Sequence, residues 1–175
     1  MTKKQRKIFY TLIFFIGIIL MYFQIEIYRN TFINWKIPAS IITIVGILSF
    51  LADFKNYKRT YEYSGFELYL YSWMHYIIGF GFIACSIFML TNFYFAGKEV
   101  KTENYEIIGR TTIRGTTKGR TDKEQPVFII VYKGKSKELV FKNEYFEKMN
   151  LYKNVEFETR NGLFGFDILE NKKLN

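Results

Sequence analysis

Residues 68–97 read LYLYSWMHYIIGFGFIACSIFMLTNFYFAG and hold no Asp, Glu, Lys or Arg over 30 positions. As an α-helix this stretch would be about 45 Å long, against roughly 30 Å for the hydrocarbon of a bilayer. That length fits one membrane span with an interfacial overhang, and it is too short for two. The stretch divides an apolar front half from a polar, strand-patterned back half. Its direction of crossing therefore decides which compartment the back half reaches.

Two further apolar segments precede this stretch, and together they predict a transmembrane domain over residues 1–97 with spans at about 8–25, 32–52 and 69–93. The first follows MTKKQRK, which carries four positive charges, and it ends in YFQIEIYRN. Because no small-x-small cleavage site follows, an uncleaved helix is favoured over a secretory signal.

The basic residues beside these spans predict their orientation. The N-terminus carries four positive charges and the connection 53–67 carries three, whereas the link between the first two spans has one, or two with Lys36. The positive-inside rule places the two more basic flanks in the cytoplasm. Three crossings then put residues 98–175 on the far side of a bacterial inner membrane, outside the cytoplasm.

His75 is the only histidine and falls about two turns into the third span, so it is an intramembrane polar candidate. Its neighbours Tyr71, Trp73 and Tyr76 favour an interfacial aromatic belt over a relay, because the sequence offers no partner at membrane depth. Gly79 and Gly81, with the lone Cys85, form a small-residue surface that suits helix packing or dimerisation.

The back half alternates apolar and polar residues, which predicts a domain of five short strands over residues 98–175. The strands are expected at 105–114, 126–132, 136–141, 154–159 and 163–168, with a short helix at 144–149 capped by Asn143. Lys133-Gly134-Lys135 and Asn161-Gly162 are the expected hairpin turns. An OB-like barrel, an open SH3-like roll and a sheet with one helix packed on it are all compatible with this order. The predicted core comprises Ile107, Phe128, Ile130, Leu139, Phe141, Phe146, Val155, Phe157, Phe164 and Phe166.

The segment 108–122, IGRTTIRGTTKGRTD, is the one unusual chemical feature of the back half. Its clustered bases, hydroxyls and glycine N–H groups suit phosphate, carboxylate or an acidic protein surface. If the strand continued, the bases would share one side; a break near Gly115, followed by a loop, is favoured. The favoured interpretation is a solvated hairpin that its charges keep soluble and unaggregated. The predicted anion- or partner-binding residues are Arg110, Arg114, Lys118 and Arg120.

No catalytic constellation, metal site or cofactor motif is predicted, because the soluble half has no histidine and the chain has one cysteine. We therefore expect a non-enzymatic membrane protein whose outer β domain binds a protein partner or a second copy, as an accessory or assembly subunit. Alternatives are an immunity or exclusion protein against a toxin, and a sensor or transport component that binds an anionic ligand. Membrane lipid is an expected partner and nucleic acid is not.

Overall fold

The computed structural model describes residues 1–117 and 120–175, with the side chains of residues 115–123 outside the described set. Contacts within the chain divide it into two compact units. A helical unit comprises residues 1–28 and 33–94, and a β unit comprises residues 29–32 and 95–175. The short link between the first two helices therefore belongs to the β unit, which the sequence did not predict.

Three helices are long and apolar enough to cross a membrane: α1 (Lys3–Arg29), α2 (Lys36–Thr60) and α3 (Gly65–Tyr94). Helices α1 and α3 each contain a predicted span and extend beyond it, whereas α2 begins four residues after the start of the predicted span 32–52 and ends eight residues beyond it. The connection between α2 and α3 is consequently only residues 61–64, shorter than the predicted 53–67. Phe32, predicted inside the second span, lies in the link instead.

Helix α3 changes from α-helical to π-helical geometry over His75–Gly81 and returns to α-helix at Phe82. Glycines let the other helices approach this segment closely. A Cβ built on Gly79 would lie 2.7 Å from Cγ2 of Ile13, and one on Gly81 would lie 2.6 Å from the carbonyl oxygen of Ile42. The predicted small-residue surface therefore packs α3 against α1 and α2 within the chain.

The β unit contains six described strands rather than the predicted five, and the sheets do not close into a barrel. The strands are β1 (Lys101–Glu106), β2 (Gly109–Thr117), β3 (Arg120–Tyr132), β4 (Lys135–Val140), β5 (Asn154–Asn161) and β6 (Asp167–Leu174). They form two three-stranded antiparallel sheets, in the orders β1-β5-β6 and β2-β3-β4.

Three local predictions in this unit are wrong. The expected first strand is divided at Ile107, whose N–H binds the Lys153 carbonyl while that of Ile108 binds Ile129 in the other sheet. The ladder does not stop at Gly115 but continues, with an irregularity, to Thr117. The expected helix at 144–149 is a single 3-10 turn, Asn143–Tyr145, and the Asn143 side chain donates to the Glu124 carbonyl at 2.7 Å.

The last predicted strand is shifted towards the C-terminus. Asn161 pairs with Asp167, so residues 162–166 form a five-residue turn and not the expected two-residue turn. Gly165 adopts φ +79°, which glycine tolerates and a strand residue would not. By contrast, Lys133 and Gly134 both have positive φ between the paired Tyr132 and Lys135, which confirms the other predicted hairpin turn.

The core of the β unit contains most of the predicted residues. Buried together are Ile107, Phe128, Ile130, Leu139, Phe141, Val155 and Phe157, joined by Tyr132 and Leu169, which were not predicted. Phe146 and Phe166 are only half-buried, and Phe164 is exposed. The shift of β6 explains the last two, because it places both phenylalanines in the turn.

Candidate functional sites

The predicted basic residues lie on a two-stranded ribbon formed by residues 110–117 of β2 and 120–126 of β3, here called the basic ribbon. Strand β3 is 13 residues long, but β4 pairs with it only from Val127 to Tyr132. The next two contacts to β3 come from the chain after β4. The N–H of Phe141 donates to the carbonyl of Pro126, and the side chain of Asn143 donates to the carbonyl of Glu124. Farther along, β2 and β3 pair only with each other among the described residues. The ribbon thus extends past the end of β4.

Charge and exposure make the basic ribbon a polar surface. Five basic and two acidic residues lie between positions 110 and 126. On β2, Arg110, Thr112 and Arg114 alternate with their neighbours and so share one face, and all three are exposed. The ladder places Arg114 opposite Glu124. An arginine and hydroxyl face of this kind suits carboxylate groups on a partner.

Arg110 fastens the base of the ribbon to the rest of the β unit. Its Nε donates to the carbonyl of Met149 at 3.1 Å, and its Nη2 donates to the carbonyl of Tyr152. Both carbonyls follow the 3-10 turn, and these hydrogen bonds hold the ribbon at its base. Anion or partner binding by Arg110 stays a prediction.

Two of the other three predicted bases, Lys118 and Arg120, have no described side chain. Lys118 lies outside the described residues. The backbone of Arg120 pairs with Thr117, and its side chain belongs to the undescribed set. Binding by these residues, and by Arg114, therefore stays a prediction.

The link between α1 and α2 is held by β6 like a further short strand. Phe32 N–H donates to Asp167 and Leu169 N–H donates to Asn30, each at 2.7 Å, around a bridge between Thr31 and Ile168. The ring of Phe32 packs edge-on against Tyr132, 4.7 Å between centroids. The link is thereby integrated into both the ladder and the core.

Two lysines fix the same link from the other sheet and from β6. Lys137 Nζ donates to the carbonyl of Thr31 at 2.9 Å, and Lys172 Nζ donates to Asn30 Oδ1 at 2.7 Å. Burial, together with the charge of Lys172, lowers the pKa of Lys137 to about 8. Sequence reasoning missed this contact because nothing marks a lysine on an edge strand as the partner of a carbonyl 106 positions away.

Tyrosine hydroxyls meet carboxylates elsewhere in the β unit. Tyr132 donates to Asp167 at 3.0 Å, and Tyr105 donates to Glu103. Burial, then the hydrogen bond and charge of Glu103, raise the pKa of Tyr105 to about 12. Burial and the charge of Asp167 likewise raise the pKa of Tyr132. Both hydroxyls are thus kept neutral donors, which suits fixed structural contacts.

In the helical unit a carboxylate that the sequence reading overlooked is the centre of a polar cluster. Asp53 accepts hydrogen bonds from the hydroxyls of Tyr10 and Tyr76 and, at 2.7 Å, from the side chain of Asn56. Arg6 donates to Asn56 in turn, at 2.9 Å. Three helices contribute to this Asp53 cluster. Its donors satisfy the carboxylate, as a half-buried acid requires.

His75 lies beside the Asp53 cluster at the start of the π-helical segment. Its Nδ1 is 2.8 Å from the carbonyl of Tyr71 and 3.0 Å from the hydroxyl of Tyr57. A carbonyl can only accept, so this contact places the ring proton on Nδ1. The ring also packs on Phe14, 5.2 Å between centroids. Aromatic residues from three helices therefore surround His75, and its interfacial position stays a prediction.

The described residues contain no group of three or more His, Cys, Asp or Glu side chains that could hold a metal ion. Protein-family models, curated proteins and solved structures gave no match to the chain.

Proposed function

We propose that this chain is a three-span membrane protein whose β unit binds an acidic surface on a protein partner through the basic ribbon, as an accessory or assembly subunit does. The observation that carries the proposal is the extension of β2 and β3 past the end of β4. A two-stranded ribbon by itself is marginally stable in water, so a protruding one gains from packing on a second protein. Its edge strand also offers backbone groups for strand addition.

Charge supports the same surface. The basic ribbon carries four basic and two acidic residues, which favours encounter with an acidic partner and rejection of a basic one. Arg110 supports the proposal differently, because its bonds to two carbonyls hold the ribbon base in a fixed direction. A ribbon fixed at its base loses less conformational freedom on binding than a loop would.

The place of the link 29–32 supports the three-span arrangement. The link follows α1, and it belongs to the same unit as the residues that follow α3. If every helix crosses the bilayer once, both must lie on the same side. The Lys and Arg distribution places the N-terminus in the cytoplasm of a bacterial inner membrane, and therefore the β unit outside it.

Site-specific photo-crosslinking in living cells tests the partner. A crosslinking amino acid replaces Thr112 on the basic ribbon or, as the matched control, Ser136; both are exposed hydroxyl residues on edge strands of one sheet. We expect Thr112 to give a discrete adduct with another protein and Ser136 to give none. Arg114→Glu should reduce the adduct roughly tenfold, because it reverses a charge on the same face. Equal adducts at both positions, or no effect of Arg114→Glu, reject the proposal.

A reporter fused after Asn175 tests the orientation separately. Alkaline phosphatase, which is active only outside the cytoplasm, should be active in this fusion. A fluorescent protein that matures in the cytosol should stay dark. The reverse pattern rejects the placement of the β unit and leaves the crosslinking result to be interpreted on the cytoplasmic side.

A further inference from the structure

The turn between β5 and β6 presents two adjacent apolar side chains in a unit whose surface is otherwise mostly polar. Leu163 is 53% exposed and Phe164 is 46% exposed. Two backbone hydrogen bonds close the turn, from Gly162 to the Phe166 carbonyl and from Gly165 to the Gly162 carbonyl. The tip is therefore an ordered feature of the hairpin, and the exposed parts of its two side chains form a small apolar surface.

Both ends of this turn are tied to residues that closely follow a membrane-spanning helix. The carbonyl of Asn161 accepts the N–H of Gly97 at 2.9 Å, and the carbonyl of Asp167 accepts the N–H of Phe32 at 2.7 Å. Gly97 is three residues beyond the end of α3, and Phe32 is three residues beyond the end of α1. Three extended residues reach about 11 Å at most. Chain connectivity alone therefore keeps the hairpin base near the point where two spans leave the bilayer.

The residues just outside the spans have the composition of a membrane interface. Phe95, between α3 and Gly97, is 69% exposed, and Trp35 at the start of α2 is also exposed. Arg29, which ends α1, and Lys98, the first charged residue after α3, are exposed as well. Aromatic and apolar side chains flanked by cations suit the boundary between acyl chains and anionic headgroups.

We propose that Leu163 and Phe164 insert into the interfacial layer of the same bilayer that the helices cross. The hairpin turn is then a lipid contact that fixes how the β unit stands on the membrane. The occupant is lipid, because the chain itself delivers the tip to the bilayer surface. This inference rests on the three-span arrangement of the proposed function, but not on the basic ribbon or on its partner.

Depth-dependent fluorescence quenching of the full chain tests the insertion. In a Cys85→Ala background, Leu163→Cys carries an environment-sensitive fluorophore, and Leu151→Cys is the matched control. Both leucines are exposed, and the eight residues of β5, about 26 Å long, separate the turns that hold them. The protein is placed in nanodiscs of phosphatidylethanolamine and phosphatidylglycerol with a lipid spin-labelled near its headgroup. We expect roughly threefold or more stronger quenching at position 163 than at position 151.

Each other outcome rejects the lipid contact. Equal quenching at positions 163 and 151 means that the tip stays in water. Blue-shifted emission at position 163 without lipid quenching means that protein covers the tip, either a second copy or a partner. The phosphatase fusion after Asn175 separates failure of the three-span arrangement from failure of the insertion, because it reports the side of the β unit whatever the tip contacts.

Discussion

The two units of this molecule differ in where they place apolar and polar side chains. In the helical unit the exposed positions are largely apolar, as Leu12, Phe15 and Leu48 illustrate, while tyrosine hydroxyls, Ser72 and Ser86 are buried. In the β unit the fully buried side chains are mostly aliphatic and aromatic, such as Phe128 and Leu139, and the strands alternate with exposed charged residues.

This difference matches a helical unit with the composition of membrane spans and a β unit that folds in water. Burial of apolar surface drives folding in water but brings little gain where lipid tails surround the helices. The helical unit instead depends on close backbone approach at glycines and on interhelical hydrogen bonds such as those to Asp53. The β unit depends on its apolar core and on its ladders. Each of the following substitutions should destabilise or stabilise one unit and leave the other unchanged.

Replacing an exposed leucine by lysine should give the largest contrast between the units. Leu48, in the middle of α2, is 60% exposed, and Leu151 in the β unit is 73% exposed. Leu48→Lys places a charge at mid-membrane and should cost about 3 kcal/mol of insertion free energy. Leu151→Lys remains in water and should change stability by less than about 0.5 kcal/mol. Glycosylation-site mapping of insertion and thermal melting in detergent measure the two effects.

Similar losses in both variants would contradict the comparison, because they would mean that both leucines are in contact with the same kind of solvent.

Adding one methyl group at Gly17 should disrupt the helical unit. A Cβ there would lie 2.0 Å from the carbonyl oxygen of Ile78, a backbone atom in the π-helical segment. Gly17→Ala gains about 1 kcal/mol in helix propensity but forces α1 away from α3, so we expect a net loss of about 2 kcal/mol. The loss appears as a lower melting temperature of the purified protein. Ala52→Val enlarges an exposed position of α2 and is the control.

An unchanged melting temperature for Gly17→Ala would show that α1 does not approach α3 through this glycine.

Raising the pH should increase the free energy of unfolding of the β unit through Lys137. The folded-state pKa of Lys137 is about 8, below its ordinary value of 10.5. Above pH 8 the native state releases this proton while the unfolded state still binds it, so stability rises with pH until about 10.5. Below pH 8 both states are protonated and the increment is absent. The increment should be on the order of 3 kcal/mol.

Thermal melting of wild type and of Lys137→Met is measured between pH 7 and pH 10.5. The difference in stability between the two proteins separates the contribution of Lys137 from those of the other lysines and the tyrosines. An identical pH profile for the two proteins would show that Lys137 titrates normally.

The composition of consecutive residues predicted the helices, the inner part of one strand and one turn. Charge-free runs predicted all three long helices, because a bilayer span requires them. The β-branched run before Tyr132 predicted the inner part of β3, and Lys133-Gly134 predicted the turn after it. Seven of ten predicted core residues are buried together, since period-two alternation distinguishes the inner face of a strand from the outer.

The wrong predictions for the last strand arise from pairing between distant segments. Phe164 and Phe166 alternate as strand residues do, yet they lie in a turn because Asn161 pairs with Asp167 and Gly165 takes a left-handed conformation. The resulting shift makes Ile168 and Leu169 consecutive buried residues, with Leu169 in the core and Ile168 opposite Thr31. The same pattern is compatible with either register, and the partner strand selects one.

The candidate sites divide in the same way. Arg110 and Arg114 were identified by composition, and their sequence spacing placed them on one face of a strand. Composition did not show that Arg110 is bound to the carbonyls of Met149 and Tyr152, nor that Asp53 gathers two tyrosines from other helices. Contacts between residues 23 to 43 positions apart leave no local signal.

Hydropathy, charge and strand alternation are properties of single segments, so the sequence was enough to predict an apolar helical half and a polar half of strands. The pairing of distant segments was visible only in the folded chain: which strands share a sheet, how far β2 and β3 extend past β4, and that residues 29–32 belong with a domain that begins more than 60 positions later. Backbone hydrogen bonds between distant segments depend on geometry and hardly on side-chain identity, so they leave no mark in the local sequence.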